Sequence, residues 1–70
     1  MIELEYECII FSNPITYTIR QQYSNSVFYI YNYKTQIGSI KKFNGLWEQI
    51  GGREMGDILV NDIGTFLDSI

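Results

Sequence analysis

The chain has 70 residues, of which 46% are hydrophobic, 16% aromatic and 19% charged, and its net charge is −3. This composition excludes a disordered segment, and the negative charge disfavours binding to duplex nucleic acid through the phosphate backbone. Because the chain has no histidine and only one cysteine, a Ser-His-Asp or Cys-His catalytic arrangement is excluded and a tetrahedral zinc site nearly so. We therefore expect a protein that is not an enzyme and needs no cofactor or metal.

The chain begins with its clearest strand pattern. Over residues 2–10, apolar side chains alternate with glutamates, as in a strand with one buried face. Polar turn residues follow, and residues 15–21 alternate again, which predicts a β-hairpin. Cys8 falls on the apolar side of the first strand, where we expect a buried and unreactive thiol.

Three further strands are predicted over residues 27–32, 36–42 and 46–50. A polar turn at Tyr23–Ser26 separates the first of these from the hairpin. Asn44 and Gly45 join the last two, and this pair favours a type I′ turn because both residues tolerate positive φ.

Residues 54–69 have the pattern of an amphipathic helix. Apolar residues recur there at spacings of three and four: Met55, Ile58, Leu59, Ile63, Phe66, Leu67 and Ile70. Gly56 and Gly64 each weaken such a helix by about 1 kcal/mol relative to alanine, so it must depend on docking against the sheet. Ahead of it, Gly51–Arg53 would suit an anion-binding nest, but these residues match no phosphate-loop motif and favour a plain connection.

These elements predict one α+β domain over residues 1–70. Four to five short strands form an antiparallel meander, and the C-terminal amphipathic helix packs on one face. In topology this order resembles the ββββα core of the single-stranded-DNA-binding transcriptional coactivators. That resemblance implies nucleic-acid binding, but the basic residues on which those proteins depend are missing here, so we assign no family.

The run from Val27 to Tyr33 places four aromatic rings within seven residues. By alternation along a strand, Phe28 and Ile30 face the helix, whereas Tyr29 and Tyr31 face away from it. A single helix covers only one side of a sheet. The uncovered side is therefore predicted to carry the surplus of aromatic side chains.

Exposed tyrosine and tryptophan side chains are typical of protein interfaces. We predict a binding surface for a protein partner formed by Tyr29, Tyr31, Tyr33 and Trp47, in a small inhibitor, adaptor or accessory subunit. Single-stranded nucleic-acid binding by tyrosine stacking is an alternative, disfavoured by the acidic charge. A structural homo-oligomer, such as a dimer through this face, is another. In a third interpretation Tyr23, Tyr33 and Trp47 only pack across the sheet.

Glu3, Glu5 and Glu7 form a row on one side of the first strand. Their spacing of about 6.6 to 6.8 Å is not far from that of successive phosphates. One hypothesis is therefore an acidic mimic of nucleic acid that blocks a protein's DNA-binding surface. The simpler interpretation is an edge strand that charge protects from pairing with another chain, partly neutralised by Arg20 or Lys41.

The sequence also predicts where the protein is found. The single cysteine fits a reducing compartment, and the first residues lack the basic and apolar regions of a signal peptide. No apolar run approaches the roughly 18 residues that suggest a membrane span. We therefore expect a cytoplasmic protein without membrane association.

Overall fold

Five strands and one helix follow one another along the chain. The computed structural model describes residues 2–21 and 26–70. Its elements are β1 (Ile2–Cys8), β2 (Ile15–Gln21), β3 (Phe28–Asn32), β4 (Thr35–Phe43), β5 (Leu46–Gly52) and α1 (Asp57–Asp68). The strands form one antiparallel sheet in the order β1-β2-β3-β4-β5, and α1 packs on one face. The α+β meander predicted from the sequence is confirmed.

Three element boundaries differ by two residues or more from those predicted. β1 ends at Cys8, two residues early, because the chain leaves the sheet before the turn at residues 12–14. β5 continues to Gly52 instead of ending at residue 50. α1 begins at Asp57, because Gly56 precedes it as N-cap with a φ of 83°, outside the helical region.

Tight turns join the last three strands. Asn44 and Gly45, between β4 and β5, have φ values of 48° and 83°, as predicted for their turn. Between β3 and β4, Tyr33 has a φ of 56°, a conformation that is uncommon for a bulky residue. Most of the turn predicted at Tyr23–Ser26, including Tyr23 itself, lies outside the described residues.

The hydrophobic core lies between the sheet and α1. Its buried side chains come from the first four strands and from the helix: Cys8, Tyr17, Ile19, Ile30, Ile40, Leu59, Val60, Ile63 and Leu67. The helical stripe is shifted from the prediction, because Ile58 and Ile70 are exposed whereas Val60 is buried. The predicted residues Leu59, Ile63 and Leu67 are buried, and the docking face extends to Val60 and Gly64 on one side of them.

Trp47 packs on the helix face of the sheet. Its ring meets Phe28 edge-on, with ring centroids 5.7 Å apart, and lies against Gly64. The prediction that Trp47 joins the tyrosines on the other face is therefore wrong. The tight turn pairs Trp47 with Lys42, and Lys42 is two residues from buried Ile40, so all three share one face.

A small polar cluster ties β1 to α1. The Tyr6 hydroxyl donates a hydrogen bond of 2.6 Å to Oδ2 of Asp62, and the buried Cys8 thiol donates to the same oxygen at 3.3 Å. The Tyr6 ring also stacks on Phe66, with centroids 4.5 Å apart. The hydrogen bond to Asp62 raises the pKa of Tyr6 to about 12, and burial raises the pKa of Cys8.

Candidate functional site

The outer face is the side of the sheet opposite α1. On this face the pairing of β1, β2 and β3 aligns side chains in successive rows. The rows are Glu3, Arg20 and Tyr29, followed by Glu5, Thr18 and Tyr31. The carboxylates thus lie on an edge strand, as predicted, and β2 separates them from the tyrosines of β3.

Arg20 is held between a carboxylate and an aromatic ring. Its Nε donates to Oε2 of Glu3 at 2.7 Å, and its Cζ lies 4.8 Å from the centroid of the Tyr31 ring. Arg20 therefore neutralises Glu3 and covers one side of Tyr31. Lys41, the other predicted neutralising residue, lies opposite Glu48 of β5 instead.

The tyrosines of this region differ in exposure. Tyr29 and Tyr31 are half-buried, and the Tyr31 hydroxyl makes a long hydrogen bond of 3.4 Å to Oε1 of Gln36. Tyr33, in the turn after β3, is 90% exposed. Of these three predicted interface residues, Tyr33 is the one with most of its ring available to a partner.

A groove of about 550 Å³ lies beside Tyr33. Its lining includes Glu5, Pro14, Thr16 and Thr18 as well as Tyr33. A carboxylate, two hydroxyls and an exposed aromatic ring therefore meet in one concave site, a combination that suits a polar or cationic group with apolar parts. Among the described residues, neither Glu5 nor the neighbouring Glu7 takes part in an ion pair.

Sequence reasoning missed the exposed apolar loop that follows β1. Ile9, Ile10 and Phe11 are 70%, 42% and 44% exposed. The sequence pattern places the first two in the strand, although the run of three apolar residues breaks the alternation just before a turn signal. This loop leads to Pro14, and thus to the wall of the groove.

Gln49 organises the connection between β5 and α1. Its side-chain amide donates to the carbonyl oxygen of Gly51 at 2.8 Å and to that of Arg53, and its Oε1 accepts from the Met55 amide at 2.8 Å. The Arg53 amide donates to the carbonyl oxygen of Ile37 at 3.0 Å. The Arg53 amide is thus already used within the chain, which favours the plain connection over an anion-binding nest.

Within residues 2–21 and 26–70, no group of three or more Cys, Asp or Glu side chains is arranged to hold a metal ion. No helix in this part of the chain has the length and apolar character required to cross a bilayer. Comparison with protein-family models, with curated proteins and with solved structures finds no match.

Proposed function

We propose that this chain is a small non-catalytic binding module that contacts a protein partner through the outer face, as an inhibitor, adaptor or accessory subunit. The main support for this proposal comes from Tyr33, which is 90% exposed and has a φ of 56°. Exposing a large ring forgoes the free energy of burial, and the left-handed conformation costs about 1 kcal/mol for a residue with a side chain. Neither packing nor turn geometry explains a tyrosine there, whereas contact with a partner does.

The surroundings of Tyr33 support a protein partner. The exposed residues Ile9, Ile10 and Phe11 belong to the β1–β2 loop, which lies at the same end of the sheet as the Tyr33 turn. Pro14 of that loop lines the same groove as Tyr33. An aromatic residue at the same end of the sheet as exposed apolar groups, with polar groups in the groove, has the composition of a protein interface.

Single-stranded nucleic acid fits this surface less well. Base stacking requires free ring faces beside a positive groove. One side of Tyr31 is covered by Arg20, whose charge is paired with Glu3. The groove beside Tyr33 is lined by the Glu5 carboxylate, which repels phosphate.

The acidic mimic is also less well supported. A mimic of nucleic acid requires that all three glutamates of β1 present regularly spaced negative charges. The ion pair between Arg20 and Glu3 removes one charge from that row. Glu5 and Glu7 remain as an acidic pair beside the groove instead of a phosphate-like series.

The test is affinity capture with this chain as bait, followed by binding measurements on the purified captured protein. We compare the wild type with Tyr33→Ser and with Ile58→Ser. Ile58 is 72% exposed on α1, so its substitution removes a comparably exposed apolar side chain on the opposite side of the molecule. We expect binding to survive in Ile58→Ser and to weaken at least tenfold in Tyr33→Ser.

A partner that binds all three proteins equally would contradict contact through the outer face. Light scattering on the free chain tests whether the chain forms a homo-oligomer. A dimer through this face would dissociate in Tyr33→Ser but not in Ile58→Ser. Tyr29 and Tyr31 are less suitable test positions, since both are half-buried and their loss would also affect stability.

A further inference from the structure

The groove beside Tyr33 repeats the arrangement that holds Arg20. From this repetition we infer that the groove binds the guanidinium group of an arginine in an extended segment of the partner. The inference rests on the proposed function, and it adds the chemistry by which the partner is recognised. It follows from two similar sets of three side chains, each with one from β1, one from β2 and a tyrosine from β3 or from the turn directly after it.

At the first position of this repeat the side chains are Glu3, Arg20 and Tyr31. Two residues nearer the Tyr33 turn, the corresponding side chains are Glu5 of β1, Thr18 of β2 and Tyr33, which directly follows β3. Both sets combine a β1 carboxylate with a tyrosine, and they differ in the residue from β2 between them. The first set has its own guanidinium there, whereas the second has a short hydroxyl side chain and the groove.

The groups around this groove suit a guanidinium. The Glu5 carboxylate forms no ion pair with the described residues, and a charge-assisted hydrogen bond to arginine is among the stronger polar contacts. The hydroxyls of Thr16 and Thr18 add acceptors, and the exposed Tyr33 ring offers a face for a planar cation. Arg20 shows that this sheet face already holds a guanidinium by the same combination of groups.

The local charge also favours a cation. Glu5 and Glu7 lie on the β1 side of the groove, and Lys34 follows Tyr33 in the turn. Two carboxylates and one amine leave a net negative charge at this end of the outer face, in a chain whose overall charge is −3. A positively charged segment is therefore attracted before contact, and an acidic one is repelled.

The experiment is an NMR titration of the isotope-labelled chain with acetyl-Gly-Arg-Gly-amide. The matched control peptide contains citrulline, which has nearly the same shape as arginine but no charge. We expect saturable shifts at the amides of Thr16, Thr18 and Tyr33 with the arginine peptide, and affinity at least tenfold weaker with the citrulline peptide. Added salt should weaken the arginine complex.

Variants locate the site. Glu5→Gln should weaken binding at least tenfold, whereas Glu48→Gln, an exposed carboxylate near the other edge, should not. Thr18→Arg places a guanidinium where Arg20 stands in the first set, so it should block the peptide. These exposed or half-buried positions permit substitution without disturbing the core, and an amide spectrum checks the fold of each variant.

Absence of peptide binding, equal binding of both peptides, or equal weakening by Glu5→Gln and Glu48→Gln would overturn the arginine site. A partner that depends on Tyr33 but not on Glu5 would leave the proposed function intact and remove only this inference. Conversely, peptide binding together with a partner indifferent to Tyr33→Ser would remove the proposed function and leave the arginine site.

Discussion

The indole ring of Trp47 lies in the space that a side chain at position 64 would occupy. A Cβ built on Gly64 would come within 3 Å of three atoms of that ring. The sequence pattern treats this glycine only as a weakness, because glycine costs a helix about 1 kcal/mol relative to alanine. In the fold it lets α1 and β5 approach closely enough for the ring to be packed.

Gly64→Ala should therefore destabilise the protein even though alanine is the better helix former. The added methyl must displace the Trp47 ring, and such overpacking costs typically about 1 to 3 kcal/mol. Urea unfolding gives the change in free energy. The control is the same substitution in a Trp47→Ala background, where the steric conflict is absent and alanine should stabilise by about 1 kcal/mol. Equal destabilisation in both backgrounds would show that Trp47 is not the cause.

Gln49→Ala should loosen the connection between β5 and α1. The substitution leaves the Met55 amide without its acceptor and two carbonyl oxygens without their donor. Loss of such partners costs about 1 to 3 kcal/mol where the groups cannot reach water. Gln36→Ala, at an exposed position of β4, is the control and should change the unfolding free energy much less. If the two variants are equally stable, Gln49 does not organise this connection.

Stability should fall at alkaline pH because of the cluster between β1 and α1. The folded-state pKa of Tyr6 is raised from 10.0 to about 12, chiefly by its hydrogen bond to Asp62, and burial raises the pKa of Cys8 above 9.0. Groups that bind protons more tightly when folded contribute fully below their unfolded pKa values. That contribution is lost as the pH rises from about 9 through 12.

Urea unfolding at a series of pH values measures this loss, and tyrosinate absorbance follows the phenols directly. Tyr6→Phe keeps the ring stacked on Phe66 but removes the titrating hydroxyl, so the decline in stability should be shallower. The control is Tyr33→Phe, which also removes a tyrosine hydroxyl but lies outside the cluster of Tyr6, Cys8 and Asp62. If the free energy of unfolding declines with pH equally steeply in Tyr6→Phe, residues other than Tyr6 cause the decline.

Tyr33→Asn should stabilise the fold while removing the contact with the partner. Asparagine adopts positive φ more readily than tyrosine, and the 90% exposed ring contributes little packing. We expect a gain of about 1 kcal/mol in urea unfolding. Lys34→Asn in the same turn is the matched control and should bring no comparable gain. A destabilised Tyr33→Asn variant would mean that the ring is needed for packing, which would weaken the case for an interface there.

Local patterns predicted most of the fold. The alternation over residues 2–10 and 15–21 placed the first hairpin, and Asn44-Gly45 placed the last turn, because strand faces and tight turns depend on neighbouring residues. The face of Trp47 was missed because it depends on how β5 pairs with β4. Extending the alternation across that turn in a fixed register would have revealed it.

The candidate site was less predictable from the sequence. Alternation correctly placed Tyr29 and Tyr31 on the outer face, but it says nothing about how much of each ring remains exposed. Exposure depends on contacts across strands, such as Arg20 over Tyr31. The groove beside Tyr33 likewise exists only once β1, β2 and β3 are aligned.

The contacts of α1 with both edge strands predict an order for folding. Each β-hairpin closes a short loop, whereas the hydrogen bond from Tyr6 to Asp62 joins residues 56 positions apart. Contacts that close long loops form late in folding, because the conformational entropy of the loop must be lost before the contact is made. We therefore expect Tyr6→Phe to accelerate unfolding in stopped-flow measurements and to leave the folding rate nearly unchanged. Docking of α1 on β1 would then be the last step of folding. The lifetime of the native state would depend on the contact between Tyr6 and Asp62.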